Sequence, residues 1–338
     1  MATAQILVGN VFKRILEIPD QSVRTCITSP PYFNLRSYDT ATWEGGDPEC
    51  EHETRLSSTC LHCGARQFDE GIGLEDTPEE YIEKLVGVFR EVRRVLTDDG
   101  TLWVNIGDSY AAGKVGRDDS GNNGKFGGTR LEPKQRSAPP GYKQKDLIGI
   151  PWMLAFALRN DGWFLRSDII WDKSGNVMPE SVKDRPTKSH EYVFLLTKKK
   201  KYFYDHLAIA EPVVRGAAGS KFNQGKTAGH QLNRSSDKER VETELRNKRD
   251  VWRINTRPLK SAHFAVMPEA LVEPCVLAGS SVGDMVLDPF SGSGTVGVVS
   301  LRHGRSFIGI ELNDEYADLS VNRIEKSVDG SLVSSIVE

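Results

Sequence analysis

Three groups of residues in this chain combine side-chain types and spacings that can do chemistry. The first is Asp288-Pro289-Phe290-Ser291-Gly292-Ser293-Gly294-Thr295, set between the apolar run Met285-Val286-Leu287 and the small-residue run from Val296 to Leu301. That context predicts a buried strand, a tight glycine turn and a helix. Glycines let the turn's backbone approach a ligand, and unpaired N–H groups at the helix start can donate to it. A second apolar strand, Ser306 to Ile310, ends at Glu311, roughly twenty residues past the turn, where α/β folds set a carboxylate on ribose hydroxyls. These residues read as a nucleoside-cofactor pocket, against the plainer alternative of a glycine-rich turn without a ligand. Gly292, Gly294 and Gly297 also fit the dinucleotide pattern G-x-G-x-x-G. Only about forty residues follow the turn, too few to complete the sheet of a nicotinamide enzyme starting there. The partner strands must lie upstream.

The second group is Ser29-Pro30-Pro31-Tyr32, entered directly from the alternating stretch Val23 to Thr28. Two adjacent prolines fix φ and remove two ladder donors, so the strand ends in a rigid turn. Ligands of open α/β sheets collect at that edge of the strands. Taken alone, the turn has a second reading, a strand terminator with an incidental tyrosine. The third group is Cys50-Glu51-His52 followed by Cys60-Leu61-His62-Cys63-Gly64. Cys50, His52, Cys60 and Cys63 form a full tetrahedral ligand set of the kind that closes around structural Zn2+. His62 is the competing nitrogen ligand, and unrelated surface cysteines are the alternative.

The elements that must position these groups follow from the rest of the pattern. Ile6-Leu7-Val8 reads as a short strand before Gly9-Asn10. Thr77-Pro78-Glu79-Glu80 reads as an N-cap, a first-turn proline and a capping-box glutamate, opening a helix with an apolar stripe from Tyr81 to Leu96. Thr101 to Ile106 is a strand ending in Gly107-Asp108, again at the ligand edge. A helix over Pro151 to Asn160, strands over Phe164 to Trp171 and His190 to Thr197, and a helix over Glu269 to Ala278 follow. The closing helix runs from Asp314 to Ile324. The sequence therefore predicts an α/β fold.

Composition sets the outer limits. With 338 residues the chain can bury a large core, and 38% hydrophobic and 27% charged residues suit a soluble globular protein. No apolar run reaches the ~20 residues needed to span a bilayer, so no membrane partner is expected. The five cysteines, three of them clustered, favour metal over disulfides and a reducing, cytoplasmic setting. The net charge of −3 leaves any polyanion contact to local patches. Two such regions stand out. Ala111 to Tyr142 is polar and glycine-rich, expected as a mobile loop that orders on a partner, and Glu211 to Lys260 is basic with few apolar residues. A lysine run, Lys198 to Lys201, reads either as a solvated end or as part of such a patch.

The pairing of Thr28-Ser29-Pro30-Pro31-Tyr32 with Asp288-Pro289-Phe290-Ser291-Gly292-Ser293-Gly294-Thr295 resembles the amino-methyltransferases of DNA. The order is the circularly permuted one, catalytic motif first and cofactor loop last. The resemblance covers most of the chain. It implies a Rossmann-like methyltransferase fold with a mostly parallel seven-stranded sheet, interrupted by a zinc-stapled insertion and a basic DNA-recognition segment. The implied division is 1–42 for the first part of the catalytic core, 43–71 for the zinc insertion and 72–204 for the second part of the core. Residues 205–260 form the target-recognition segment, and 261–338 the S-adenosylmethionine-binding part. The implied cofactor is S-adenosyl-L-methionine, and the implied partners are double-stranded DNA and a cognate restriction endonuclease in a prokaryotic or phage setting.

The resemblance also assigns roles. Ser29, Pro30, Pro31 and Tyr32 are catalytic. Asp288, Phe290, Ser291, Gly292, Gly294, Thr295 and Glu311 hold the cofactor, with Asn10, Asp108 and Phe264 as further contacts. Asn10 departs from the family's usual aspartate. The serine-type motif is more usual in enzymes acting on the 4-amino group of cytosine, so cytosine is expected and the 6-amino group of adenine is the runner-up. A zinc-containing DNA-binding protein without activity is the alternative from another class, and a nicotinamide dehydrogenase comes behind both.

The chemistry accounts for the residue types. The lone pair of an exocyclic amine is delocalised into its ring, so the amine is a poor nucleophile. Acceptors at Ser29 Oγ and the Pro30 carbonyl would favour a pyramidal nitrogen aimed at the methyl donor. Tyr32 would offer a ring face to a base extracted from the duplex, with its hydroxyl dispensable. No covalent nucleophile is needed, so Cys26 is expected in the core.

Overall fold

Successive residues of a strand point to opposite faces of a sheet, and in this chain both faces are apolar. The computed structural model describes residues 2–33, 41–52, 59–69, 71–111, 138–173, 175, 182–213, 245–256, 266–327 and 332–336. In chain order the strands are β1 (Thr3–Val8), β2 (Val23–Thr28), β3 (Ala41–Glu44), β4 (Arg66–Asp69), β5 (Leu96–Ile106), β6 (Phe164–Asp172), β7 (His190–Thr197), β8 (Glu211–Pro212), β9 (Leu245–Arg246), β10 (Val251–Arg253), β11 (Met285–Asp288), β12 (Ser306–Glu311) and β13 (Leu332–Ile336). The helices are α1 (Val11–Arg14), α2 (Pro78–Val95), α3 (Ile150–Asn160), α4 (Glu269–Gly279), α5 (Thr295–Arg302) and α6 (Asp314–Ser327).

Nine strands form one sheet in the order β10-β6-β7-β5-β2-β11-β12-β1-β13. Only β7 runs against its neighbours, pairing antiparallel with β5 and β6. The seven expected strands are all present, and β10 and β13 extend the two edges. Leu7, Leu102, Leu287 and Ile308 point to one face, where they join α1, α2 and α3. Ile6, Trp103, Val286 and Phe307 point to the other, where they join α4, α5 and α6. Helices on both faces of a mostly parallel sheet make the Rossmann-like α/β fold that the pattern predicted.

The helices form where sequence supplies both a start signal and a stripe. Thr77 caps α2, its Oγ1 accepting from Glu80 N at 3.2 Å, and Pro78 sits in the first turn. Its buried stripe of Tyr81, Leu85, Val88, Phe89 and Val92 has no exposure. Cutting Leu85 to alanine there should cost about 2–5 kcal/mol. The helix ends against β5, whose residues Thr97–Gly100 form a bulge between the Val23–Leu96 and Thr25–Thr101 pairs.

The topology places the site. β11 lies between β2 and β12, with Leu287 opposite both Cys26 and Ile308. Thr28 and Asp288, 260 positions apart in sequence, are joined by a 2.6 Å hydrogen bond from Thr28 Oγ1 to Asp288 Oδ1. The two motifs are thus side by side at one edge of the sheet. Between β2 and α2 the chain carries a small antiparallel hairpin, β3 with β4, away from the main sheet. The lysine run after β7 lies at the opposite edge, where Lys198 donates to Leu96 O at 2.8 Å and Lys199 pairs with Asp98 at 2.6 Å. It is a structural end, not part of the site.

Candidate active site

The loop after β11 has the shape its glycines require. Gly292 and Gly294 have φ of +50° and +75°, in the left-handed region that other residues rarely adopt. A Cβ on Gly292 would meet nothing within 4 Å, because this residue faces a cavity. Gly294 does a different job. A Cβ there would lie 2.2 Å from Ser320 Oγ on α6, so this glycine lets the start of α5 approach α6. Gly294 is therefore not a wall of the cavity. Gly297, the third glycine of the pattern, packs against Phe307 and Ile324.

Glu311 closes the loop from the end of β12. Its Oε2 accepts from Gly292 N at 2.7 Å and its Oε1 from Asn313 N at 3.0 Å. Burial pushes its carboxyl up, offset by these backbone donors. Asp288 is also buried. Desolvation pushes it up to about 7, against the hydrogen bonds from Thr28 and Phe290 N, and the nearby Glu311 charge adds to the rise. Ser291 Oγ is buried and has no hydrogen-bond partner among the described residues. An orphaned hydroxyl on a cavity wall is what a polar ligand would satisfy.

That cavity has a volume of about 320 Å³, inside the ~300–1,000 Å³ range of small-molecule sites. Asp288, Phe290, Ser291, Gly292, Thr295 and Glu311 line one part of it, and Ser29, Pro30, Pro31 and Tyr32 line another. The two motifs therefore share one space.

The far end of the cavity holds residues the sequence reading did not single out. Tyr32 Oη donates to Glu191 Oε2 at 2.7 Å and reaches Asn105 Oδ1 at 3.4 Å. Asn105 Nδ2 also donates to Glu191 Oε2, at 3.3 Å, and Lys173 Nζ pairs with Glu191 Oε1. The Lys173 ammonium lies 4.1 Å from the centroid of the Trp171 ring. Burial, then the Glu191 charge and hydrogen bond, hold the Tyr32 phenol well above its usual range, with the Ser29 hydroxyl pulling the other way. Tyr32 is thus a neutral ring fixed by its hydroxyl, not a freely rotating stacking face.

Two expected cofactor contacts are employed elsewhere. Asn10 caps α1, its Oδ1 accepting from Phe12 N at 2.8 Å, while its neighbours Gly9 and Val11 line the cavity. Asp108 caps α3, its Oδ1 accepting from Gly149 N at 2.9 Å and Ile150 N at 3.1 Å, and it does not line the cavity. Phe264 lies outside the described residues, but Val266 and Met267 just after it are on the wall. Cys26 is buried, with burial and Asp288 holding its thiol well up, as a core residue should be.

A family model described as DNA methylase matches residues 23–322, which includes both motifs and the strands between them. The chain belongs to the DNA methylase family. Type II methyltransferase M.Cfr9I of Citrobacter freundii is 43% identical over 327 residues, covering 95% of this chain and 88% of that relative. Type II methyltransferase M.SmaI of Serratia marcescens is 44% identical over 326 residues, covering 96% and 91%. Among solved structures, the cytosine-N4-specific PvuII DNA methyltransferase superposes with a TM-score of 0.60 at 15% identity, covering 98% of this chain and 89% of that one. A DNA modification methylase of Thermus thermophilus complexed with S-adenosyl-L-methionine gives 0.55 at 21% identity, covering 99% and 100%. At these identities the solved structures speak for the fold, which they share with this methylase.

Outside the cavity, the methylase carries the predicted Cys/His cluster at the hairpin. One ligand atom each from Cys50, His52, Cys60 and Cys63 lies within 4.8 Å of all the others. Cys50 Sγ and Cys60 Sγ are 3.8 Å apart, and Cys63 Sγ is 3.3 Å from His52 Nδ1. His62 N donates to Cys60 Sγ at 3.4 Å, the backbone-to-sulfur bond expected of a knuckle, and the His62 ring is not in the cluster. The basic segment is only partly within the described residues, 214–244 and 257–260 lying outside them. What is described is partly neutralised: Arg246 and Arg249 both pair with Glu211, at 3.0 and 2.6 Å, and Lys248 lies over Trp252. Its described part includes β10, an edge strand of the main sheet, within the expected 205–260 span. Of the expected loop over 111–142, residues 112–137 lie outside the described residues. No described helix is long and apolar enough to cross a membrane.

Proposed function

We propose that this methylase transfers a methyl group from S-adenosyl-L-methionine to the 4-amino group of cytosine in double-stranded DNA. It would act at a specific site, as the protective partner of a restriction endonuclease in a bacterial or phage cytoplasm. The observation that carries the reading is the shared cavity, with a glycine loop and a carboxylate in one part and Ser29-Pro30-Pro31-Tyr32 in the other. Ser29 rather than an acidic residue supports cytosine over adenine.

The residues fit the cofactor. Ser291 offers an unsatisfied hydroxyl, Glu311 keeps a lone pair beyond its backbone bonds for ribose hydroxyls, and Gly292 leaves open space. When bound, the cofactor supplies an electrophilic methyl group on a positively charged sulfur. Ser29 Oγ and the Pro30 carbonyl accept the two amine hydrogens, which localises the lone pair on nitrogen. These two acceptors would hold the amine with its lone pair toward the donated methyl, and the methylated nitrogen would then shed one proton to solvent. Tyr32 stacks on the flipped base.

The Cys/His cluster fits a closed structural Zn2+ site, three thiolates and one imidazole being a common zinc set. The metal would staple the 43–71 insertion, which is too small to hold a core of its own. Residues 205–260, with 111–142, are the segments proposed to read DNA.

Incubation with methyl-labelled S-adenosylmethionine and unmethylated bacterial DNA, followed by nucleoside analysis, tests the reading. N4-methylcytosine is the expected product. N6-methyladenine would replace the cytosine reading with the adenine one, and DNA binding without any label would favour the non-catalytic alternative.

A further inference from the structure

The group around Glu191 comes from three separate strand ends. Asn105 is near the end of β5, Lys173 follows β6, and Glu191 opens the antiparallel β7, which delivers its first residues to the edge where the parallel strands finish. Glu191 is satisfied from three sides, by Tyr32 Oη, Asn105 Nδ2 and Lys173 Nζ. The ion pair is mostly shielded, with side-chain exposures of 21% for Lys173 and 16% for Glu191. A charge pair that has paid for desolvation beside a substrate cavity calls for a reason beyond stability, since buried pairs are weak stabilisers.

Chemistry supplies one. A flipped base whose amine is held at Ser29 and Pro30 turns the rest of its pairing edge toward the cavity wall. For cytosine that edge continues with two acceptors, N3 and O2. For adenine it continues with one acceptor, N1, and then a C–H that accepts nothing. A cationic donor on the wall therefore distinguishes the two bases. Lys173 lines the cavity, carries three N–H donors and is held by Glu191 and by the face of Trp171.

We propose that Lys173 is the residue that selects cytosine, by donating to its O2, with Glu191 as the positioning residue that holds both Lys173 and Tyr32. The inference rests on the proposed amine methylation and deepens it by assigning the base choice to one side chain. A donor facing the C–H of adenine would be left unpaired, and a site built on hydrogen bonds penalises that strongly.

The test begins with the wild-type enzyme on unmethylated DNA, the modified site being located by sequencing. Two duplexes of that site are then made, with cytosine or adenine at the target opposite an abasic position, so that unpairing costs are equal. Single-turnover rates on both are compared for wild type, Lys173→Met and Lys173→Gln, with S-adenosylmethionine affinity measured by calorimetry and folding by circular dichroism. Lys173→Met should lower the cytosine-to-adenine rate ratio at least tenfold with cofactor affinity unchanged. Lys173→Gln, which keeps a neutral donor, should retain more of the ratio than Lys173→Met. A wild-type ratio in Lys173→Met, or an equal fall in both variants, overturns the inference while leaving N4-methylcytosine formation by wild type intact. If wild type yields N6-methyladenine, the proposed function fails and the assignment of Lys173 to O2 falls with it.

Discussion

Asp288 offers the most direct check on the electrostatics of the site. It is 2% exposed, and burial moves its carboxyl from 3.8 to about 7. A group with a raised native value favours folding when protonated. That contribution is fully present below about 3.8 and is lost as pH rises toward about 7. Spread over about three pH units at ~1.36 kcal/mol each, the loss is ~4 kcal/mol. Asp288→Asn removes the titration but keeps an Oδ1 to accept from Thr28 Oγ1 and Phe290 N, which both use Oδ1 now. Urea unfolding of wild type and variant at a series of pH values isolates the effect. The stability difference in favour of the variant should grow by about 1.4 kcal/mol per pH unit up to near pH 7 and then stay level. A difference independent of pH would refute the reasoning, whatever its size. The same titration predicts that a cationic cofactor binds more tightly as pH rises through about 7, because below that its site must first lose a proton.

The two turn glycines should fail differently. Gly294→Ala meets Ser320 at 2.2 Å and should cost roughly 2–4 kcal/mol of stability by denaturant unfolding. Gly292→Ala meets no atom and should cost only about 1–2 kcal/mol, with its larger effect on cofactor affinity by calorimetry. Tyr32→Phe removes the 2.7 Å bond to Glu191 and should slow single-turnover methylation roughly threefold to thirtyfold, with cofactor affinity unchanged. Purified protein should contain one Zn2+ per chain by elemental analysis, and chelation should open the hairpin to proteolysis while sparing cofactor binding. Replacing Arg246, Lys248 and Arg249 with alanine should flatten the salt dependence of DNA binding by about two units of slope. Three cations would give close to three units, but the single charge of Glu211, shared by two of them, already offsets one.

Much of the fold was legible because its signals are local. The apolar runs before Ser29 and Asp288 are short buried strands, and prolines and glycines mark the turns that follow them. The Thr77 cap and the Tyr81 to Val92 stripe announced α2 to within a residue or two. Asn10 and Asp108 have a second use in the structure that the sequence did not announce. Both are short polar side chains just past a strand end, where capping a following helix competes with holding a ligand, and in both the helix prevails. The Glu191 group was illegible for the opposite reason. Its members are ordinary polar residues at three strand ends, 73 to 159 positions from one another or from Tyr32 in most pairs, and only the sheet order brings them together. The strands β3, β4, β10 and β13, three to five residues each, are too short to show a period. Nothing in the lysine run distinguished a nucleic-acid patch from a structural end; Asp98 decides it from a distant part of the chain.

The insertion of β11 between β2 and β12 also governs the life of the chain on the ribosome. Among the described residues β1 bonds only to β12 and β13, and β2 has just β5 beside it until β11 arrives. Thr28 is translated 260 residues before Asp288, a delay of roughly 13–50 s at ordinary elongation rates. Through that interval the nascent polypeptide displays open strand edges, the kind of surface chaperones shield. It also holds the Ser29 to Tyr32 turn without the Asp288 to Thr295 loop beside it. The cavity that both turns line is therefore completed only in a late step, and an incomplete translation product would carry one of its walls without the other.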